Sequence, residues 1–251
     1  SEWLRTEGAE THDPEQLPDR IDVAAAGTIV ADHVDDVAVP PETIRDLLAT
    51  YGVPMALTYE VASDQAAEIA DRVGYPVAVK ATRRRIGRSV EAGVALDLTD
   101  RHDVDEAVAA MHRHLGDDAT TVTVQRMVTP GVDIRVRLRD SERFGPVVSV
   151  GLGGLQADAI ADESSRLAPV SPTGAAAMIA DTRAAAVLDD AAQERLADTL
   201  TRVAQLASDH PEIAELDLNP VIVSHDGCWV VDATIVLKRR ERADPAVRRL
   251  E

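Results

Sequence analysis

Apolar residues recur at helical spacing in six segments of the chain. Proline fits the first turn of a helix and glycine its end, so Pro41 and Gly52 bracket one of these segments. In another, Val104, Val108 and Met111 form one apolar face after Asp103. The predicted helices cover residues 22–36, 41–52, 63–74, 104–115, 173–188 and 190–208.

Runs rich in β-branched residues alternate with these helices. They predict strands at residues 77–82, 93–98, 121–127, 132–139 and 146–151, followed by a hairpin over 215–237. Gly153-Gly154 reads as a turn between elements. This order fits an α+β fold with two lobes. We therefore expect residues 1–21 to be a linker or arm, 22–124 an N-terminal lobe, 125–238 a C-terminal lobe and 239–251 a charged tail.

The hairpin carries a group of oxygen-bearing side chains. Because side chains alternate along a strand, Glu215, Asp217 and Asn219 share one face, while the leucines between them enter the core. A turn near residues 225–226 places Asp232 opposite Asn219, within about one residue of register. Such oxygens suit Mg²⁺ bridging the phosphates of a nucleotide. The alternative is a hairpin whose polar face is only solvated.

Lys80 is unusual because only two of the 26 basic residues are lysines, and it stands within an apolar strand sequence. Burying an ammonium is costly unless it meets an anion, and phosphate suits its compact charge. The alternative is that Lys80 ends an edge strand and points to water.

Charge and composition limit the possible partners. A net charge of −18 argues against a nucleic-acid-binding surface, and no apolar run reaches the roughly 20 residues of a membrane helix. The single cysteine, Cys228, excludes an internal disulfide and favours a reducing, cytoplasmic compartment, where it is a small core residue. A nucleotide site must then be locally basic. The candidates to supply that charge are Arg83, Arg84, Arg85, Arg88, Arg135, Arg137 and Arg139.

A series of motifs, in this order, resembles a known family. The motifs are Tyr51-Gly52-Val53-Pro54, Gly74-Tyr75-Pro76-Val77-Ala78-Val79-Lys80, Val124-Gln125-Arg126-Met127, Pro130-Gly131-Val132-Asp133, Phe144-Gly145-Pro146-Val147-Val148, Gly151-Leu152-Gly153-Gly154, Glu215-Leu216-Asp217-Leu218-Asn219-Pro220 and Val231-Asp232-Ala233-Thr234-Ile235. Over roughly residues 40–238 the chain looks like the ATP-grasp β subunit or domain of NDP-forming acyl-CoA synthetases, related to succinyl-CoA synthetase. The resemblance implies an ATP-grasp fold with nucleotide held between the sheets of two lobes.

The resemblance also implies roles for individual residues, with ATP or ADP and Mg²⁺ as cofactors. Lys80 matches the lysine that contacts nucleotide phosphates, and Arg88 is a further candidate to hold phosphate. Asn219 and Asp232 match the metal ligands, and Asp217 on the same face is added to them. The remaining nucleotide-binding candidates are Val124, Gln125, Arg126 and Met127 in the segment linking the lobes, and Asp133 and Asp158, which replace the usual glutamates.

The chain departs from this family at a functional loop. Gly87 stands where the family has a phosphate-carrying histidine, and Arg137 stands where glycine is common. Two functions follow from the resemblance. One is a component of an ADP-forming acid–CoA ligase that needs a CoA-binding α subunit or fused domains, hence a hetero-oligomer. The other is a catalytically degenerate nucleotide-sensing or interaction domain, as in proteins fused to a GNAT acetyltransferase.

Overall fold

Two antiparallel sheets organise the computed structural model, which describes residues 20–81, 93–141, 143–154 and 162–239. The smaller sheet contains β1 (Thr58–Ala62), β2 (Val77–Ala81), β3 (Val94–Leu98) and β4 (Thr121–Arg126), in the order β1-β4-β2-β3. The larger sheet follows the order β10-β8-β5-β6-β7, and β9 also pairs with β8. Its strands are β5 (Val132–Ser141), β6 (Gly145–Leu152), β7 (Glu163–Leu167), β8 (Ile213–Ser224), β9 (Gly227–Val230) and β10 (Ala233–Leu237).

Six α-helices cover these sheets within the described residues. They are α1 (Val23–His33), α2 (Pro41–Thr50), α3 (Ala66–Val73), α4 (Arg101–Leu115), α5 (Pro172–Ala180) and α6 (Asp190–Asp209), and short 3₁₀ turns occupy Ser63–Gln65, Gly116–Ala119 and Arg183–Ala186. The α6 stripe predicted from its spacing is fully buried, at Leu196, Leu200, Val203 and Leu206. The α+β class predicted from the sequence is confirmed.

Among the predicted helix boundaries that differ from the structure, three have a clear local description. The helix predicted over 173–188 ends at Ala180, because the Thr182 hydroxyl and amide both bond back to the Ile179 carbonyl and the chain turns extended. Helix α3 begins at Ala66 after a 3₁₀ turn that starts at the predicted cap, Ser63. Helix α4 starts earlier than predicted, because the Asp100 side chain caps it by accepting from the Asp103 amide at 2.9 Å.

The two hydrophobic cores divide the chain differently from the predicted lobes. Helices α3 and α4 pack on the smaller sheet, as expected for an N-terminal lobe. Buried residues of α1 and α2, however, belong to the core of the larger sheet, together with Val53 and Met55. Met55 forms a parallel bridge to Val230, which draws this early segment onto the larger lobe. The predicted boundary at residues 124 and 125 also falls inside β4, which continues to Arg126.

Candidate active site

A cavity of about 250 Å³ lies where the two sheets meet. Its walls combine apolar side chains with a few polar groups, the composition expected of a small-molecule site. From the smaller lobe and the connecting segment they include Ala78, Lys80, Val94, Leu96, Gln125, Arg126, Met127 and Val128. From the larger lobe they include Gly154, Asn219, Pro220, Ile222, Val231 and Asp232.

Lys80 reaches this cavity from β2, which is an inner strand between β4 and β3. The alternative that Lys80 ends an edge strand is therefore wrong. Its neighbours Val79 and Ala81 are buried in the core of the smaller lobe, while Lys80 itself is half-buried. The Lys80 ammonium donates to the Gln125 side-chain oxygen at 2.8 Å. Because side chains alternate along β2, Val79 and Ala81 point into the apolar core while the Lys80 ammonium points into the cavity.

The predicted register of the hairpin is confirmed. Strand β8 pairs with β9 from Val221↔Val230 to Ser224↔Gly227, and with β10 from Ala233↔Leu218. Asn219 and Asp232 are therefore opposite each other, and the Asn219 amide donates to the Asp232 carbonyl at 3.0 Å. The single predicted return strand is divided into β9 and β10, with Val231 and Asp232 between them at the cavity wall.

The side-chain oxygens of this pair are already oriented by backbone amides. The Asn219 Oδ1 accepts from the Gly154 amide at 3.0 Å, and the Asp232 Oδ1 accepts from the Ala233 amide at 3.0 Å. A carboxylate or amide oxygen can accept from more than one donor. Within the described ranges, no three histidine, cysteine, aspartate or glutamate side chains converge to cage a metal ion. An amide and a carboxylate at a cavity wall instead suit Mg²⁺ that is also held by phosphates and water.

Asp217 has the predicted face but a different set of partners. Its two carboxylate oxygens accept from Arg135 at 2.9 and 2.5 Å, and Arg137 lies 3.9 Å away. The leucines on either side, Leu216 and Leu218, enter the core as predicted. Both oxygens of Asp217 are thus occupied by a guanidinium, and Asp217 is not among the residues that line the cavity.

The remaining candidates divide into three groups. Gln125, Arg126 and Met127 line the cavity, whereas the Val124 side chain is fully buried in the core of the smaller lobe. Asp133 lies beside the Gly153-Gly154 turn, and its carbonyl accepts from the Gly153 amide at 2.7 Å. Arg88 and Asp158, together with the predicted basic group Arg83–Arg85 and the altered position Gly87, lie outside the described residues.

Sequence reasoning missed part of the cavity wall. Leu96 and Ile222 supply apolar surface from β3 and β8, and Gly154 supplies the amide that orients Asn219. The Gly153-Gly154 pair is visible in the sequence, but there it predicts only a turn and not the hydrogen bond to Asn219. Leu96 lies on the edge strand β3 and is 37% exposed, and this exposure is a property of the folded chain that the sequence alone does not show.

Cys228 lies away from the cavity, in the core of the larger lobe. The Cys228 thiol is buried and accepts from the Thr199 hydroxyl at 3.2 Å. Burial raises its pKa to about 11, so it stays a neutral thiol and has the predicted role of a small core residue. In the part of the chain that the structure describes, no helix has the length and apolar character needed to cross a bilayer.

Comparison with known proteins gives a consistent result. A family model described as an ATP-grasp domain matches residues 33–237. The β subunit of ADP-forming acetate–CoA ligase I from Pyrococcus furiosus is 30% identical over 213 residues, covering 79% of this chain and 91% of that protein. ADP-forming acetate–CoA ligase I from Archaeoglobus fulgidus is 33% identical over 205 residues, covering 76% of this chain but only 30% of that protein.

A solved structure shares the fold over most of the chain. It is the dinucleotide-forming acetyl-coenzyme A synthetase 1 of Ca. Korarchaeum cryptofilum, in complex with coenzyme A and Mg-AMPPCP. The TM-score is 0.71 and the sequence identity 27%, with 85% of this chain and 100% of that chain covered.

Proposed function

Because this chain belongs to the ATP-grasp domain family and is homologous to the β subunits of ADP-forming acid–CoA ligases, we propose that it binds ATP or ADP with Mg²⁺ in the cavity between its lobes. Its role is phosphoryl exchange between the nucleotide and an acyl-phosphate or phosphohistidine relay. The observation that carries this proposal is the convergence of Lys80, Asn219 and Asp232 on one cavity from two separate lobes.

The residues present fit the nucleotide and the ion. The apolar wall of Met127, Ile222 and Leu96 suits a flat base, while Lys80 offers an ammonium to phosphate oxygens. Asn219 and Asp232 would hold Mg²⁺ through hard oxygens, and the ion would neutralise charge on the transferred phosphoryl group. We leave Asp217 out of the ligand set because Arg135 occupies both of its oxygens.

The CoA-binding function is proposed to lie on a partner subunit or on fused domains. The chain spans about 30% of the Archaeoglobus ligase and 91% of the Pyrococcus β subunit, so its length corresponds to one component of such an enzyme. Assembly into a hetero-oligomer follows from this proposal.

Titration calorimetry with ATP and ADP, with Mg²⁺ and with EDTA, tests the proposed site. Lys80→Met should weaken nucleotide affinity roughly tenfold or more, because a charged hydrogen bond is lost. Asn219→Ala with Asp232→Ala should abolish the gain in affinity that Mg²⁺ provides and leave the fold intact. Asp105→Ala, which removes an exposed carboxylate on α4, serves as the control and should bind as the parent does. If the double variant binds ADP in Mg²⁺ as tightly as the parent does, Asn219 and Asp232 are not metal ligands and the hairpin has only a structural role.

A second candidate function is a nucleotide-sensing domain without turnover. The observation that favours it is Gly87 at the position of the family's phosphate-carrying histidine. Glycine has no nucleophilic side chain, and arginine nearby stays protonated and cannot replace histidine. Binding of Mg-ADP without any acid-labile, base-stable label on the chain after incubation with radiolabelled ATP would favour this candidate.

A further inference from the structure

Gln125 is a buried polar side chain at the junction of the two lobes. It is 3% exposed and lies on β4, between β1 and β2. Its Nε2 donates to the Thr58 hydroxyl at 2.8 Å and to the Val231 carbonyl at 2.6 Å. Its Oε1 accepts from the Lys80 ammonium at 2.8 Å. A buried amide is costly unless its donors and acceptor are satisfied, so these three partners account for its burial.

The partners allow only one orientation of this amide. An ammonium only donates and a carbonyl only accepts, so Oε1 must face Lys80 and Nε2 must face Val231. The Thr58 hydroxyl donates to the Ala56 carbonyl at 2.9 Å, which leaves its oxygen to accept from Gln125. Rotating the amide by half a turn would bring donor against donor at Lys80 and acceptor against acceptor at Val231. The Gln125 side chain therefore fixes the position of the Lys80 ammonium relative to the Val231 carbonyl.

These two partners belong to opposite sides of the cavity. Lys80 lies on the smaller sheet, whereas Val231 precedes Asp232 at the break between β9 and β10. The Val231 amide donates to the Pro220 carbonyl at 2.9 Å, and the Asn219 amide donates to the Asp232 carbonyl at 3.0 Å. This short segment therefore carries Asp232 and is bonded to the part of β8 that carries Asn219. One side chain thus joins the phosphate-binding ammonium to the backbone that positions the metal ligands.

We propose that Gln125 is a positioning residue that couples nucleotide phosphate at Lys80 to Mg²⁺ at Asn219 and Asp232. This inference rests on the proposed function. When phosphate fixes the ammonium, Gln125 fixes Val231, and the metal ligands lose less freedom on binding the ion. Coupling of this kind is reciprocal, so Mg²⁺ strengthens nucleotide binding by the factor by which nucleotide strengthens Mg²⁺ binding.

The test compares ADP affinity in Mg²⁺ and in EDTA, measured by calorimetry on the full chain. We expect the ratio of the two affinities to fall at least about fivefold in Gln125→Met, which removes all three hydrogen bonds. Gln125→Glu keeps an acceptor for Lys80 but turns an oxygen towards the Val231 carbonyl. It should retain metal-free ADP binding and lose most of the Mg²⁺ gain. This second variant keeps the test valid if the methionine variant does not fold.

Thr58→Val is the matched control, because it conserves shape and removes one bond to Gln125 without touching Lys80 or Val231. Its affinity ratio should stay within about twofold of that of the parent, below the range of typical coupling energies. If both Gln125 variants lose stability but keep the parental ratio, the residue is only structural and the inference is overturned. If the parent binds no ADP in either condition, the proposed function fails, and this inference fails with it.

Discussion

At the residue scale, a charged pair joins Arg135 on β5 to Asp217 on the neighbouring strand β8. It is bidentate, and the two side chains are only 18% and 30% exposed. Planar guanidinium and carboxylate groups match each other's geometry, and partial burial limits screening by salt. The third member, Arg137, brings a second positive charge within 3.9 Å of the same carboxylate. Removing that carboxylate would leave two cations facing each other.

We expect Asp217→Ala to destabilise the protein by about 1–3 kcal/mol, because the partly buried Arg135 guanidinium loses a bidentate, charged hydrogen bond. Urea unfolding of the variant and the parent measures this loss. Asp71→Ala is the control. Two Arg101 nitrogens donate to one Asp71 oxygen and the Tyr75 hydroxyl donates to the other, and the Arg101 and Asp71 side chains are each about half exposed. Exposed pairs contribute little to stability. Equal losses in the two variants would contradict the importance given to Asp217.

A second residue-scale feature is the contact between Tyr51 and His210 under α1. The Tyr51 hydroxyl donates to Asp209 at 2.7 Å, so it accepts from His210 Nε2 at 3.1 Å. Burial lowers the pKa of His210, with Asp209 and Glu212 opposing the shift. The folded state therefore prefers the neutral imidazole, and the unfolded chain, with a pKa near 6.5, binds the proton more readily.

Stability should fall as the pH drops below about 6.5, because protons then bind preferentially to the unfolded chain. His210→Gln keeps a donor for Tyr51 but does not titrate. The parent should lose more unfolding free energy between pH 7.5 and 5.5 than this variant does, as measured by urea unfolding at each pH. Parallel pH profiles for the two proteins would show that His210 is protonated equally in both states.

At the scale of elements, the end of β6 lies unusually close to β5. A Cβ added at Gly153 would come within 2.6 Å of the Ile134 carbonyl carbon, a backbone atom that cannot move aside alone. The next residue, Gly154, has φ +81° and donates its amide to Asn219. The spacing of these two strands therefore determines where one of the proposed metal ligands points.

Gly153→Ala should cost about 1–3 kcal/mol of stability, as overpacking does, and should weaken Mg²⁺-dependent ADP binding by displacing Gly154. Gly27→Ala is the matched control. Its added Cβ meets only the His210 Cε1, at 3.7 Å, so in the middle of α1 the same substitution should stabilise by about 0.5–1 kcal/mol. A Gly153→Ala variant as stable as the parent would refute the close approach of β5 and the end of β6.

The sequence predicts elements well where local chemistry decides them. The hairpin register follows from turn position and alternation alone, and it places Asn219 opposite Asp232 correctly. Strand β7, Glu163–Leu167, has no apolar alternation and exists because its backbone pairs with the edge of β6, so no local signal reveals it. β1, Thr58–Ala62, was also missed, although it supplies a partner for Gln125.

Long-range placement explains the other differences at the site. Asp217 shares the predicted face, but its pairing with Arg135 depends on β5 lying next to β8, some 80 positions away in the chain. The packing of α1 and α2 on the larger lobe likewise depends on the bridge from Met55 to Val230. The order of the motifs predicts the family and several residues of the cavity wall, whereas the partners that a side chain such as Asp217 finds are determined only by the assembled sheets.

At the scale of the whole molecule, a net charge of −18 surrounds a cavity that contains a lysine. The acidic surface repels anionic ligands at long range, while Lys80 and Arg126 attract them locally.

The match to this chain covers 91% of the Pyrococcus β subunit, and no G-x-G-x-x-G motif follows a predicted strand within the 251 residues of the chain. Such glycines bring backbone close to a pyrophosphate group, which CoA carries.

The purified chain should therefore bind Mg-ADP but form no acyl-CoA from acetate, ATP and CoA, because CoA is proposed to bind to a partner subunit or fused domain and cannot be aligned with the nucleotide without it. Mass spectrometry of the reaction mixture detects the thioester directly, and calorimetry on the same preparation confirms that nucleotide binding is intact. The same assay with Lys80→Met identifies any contaminating ligase, whose thioester would persist. Thioester formed by the parent chain alone and lost in Lys80→Met would place the complete reaction on this chain and contradict its role as one component.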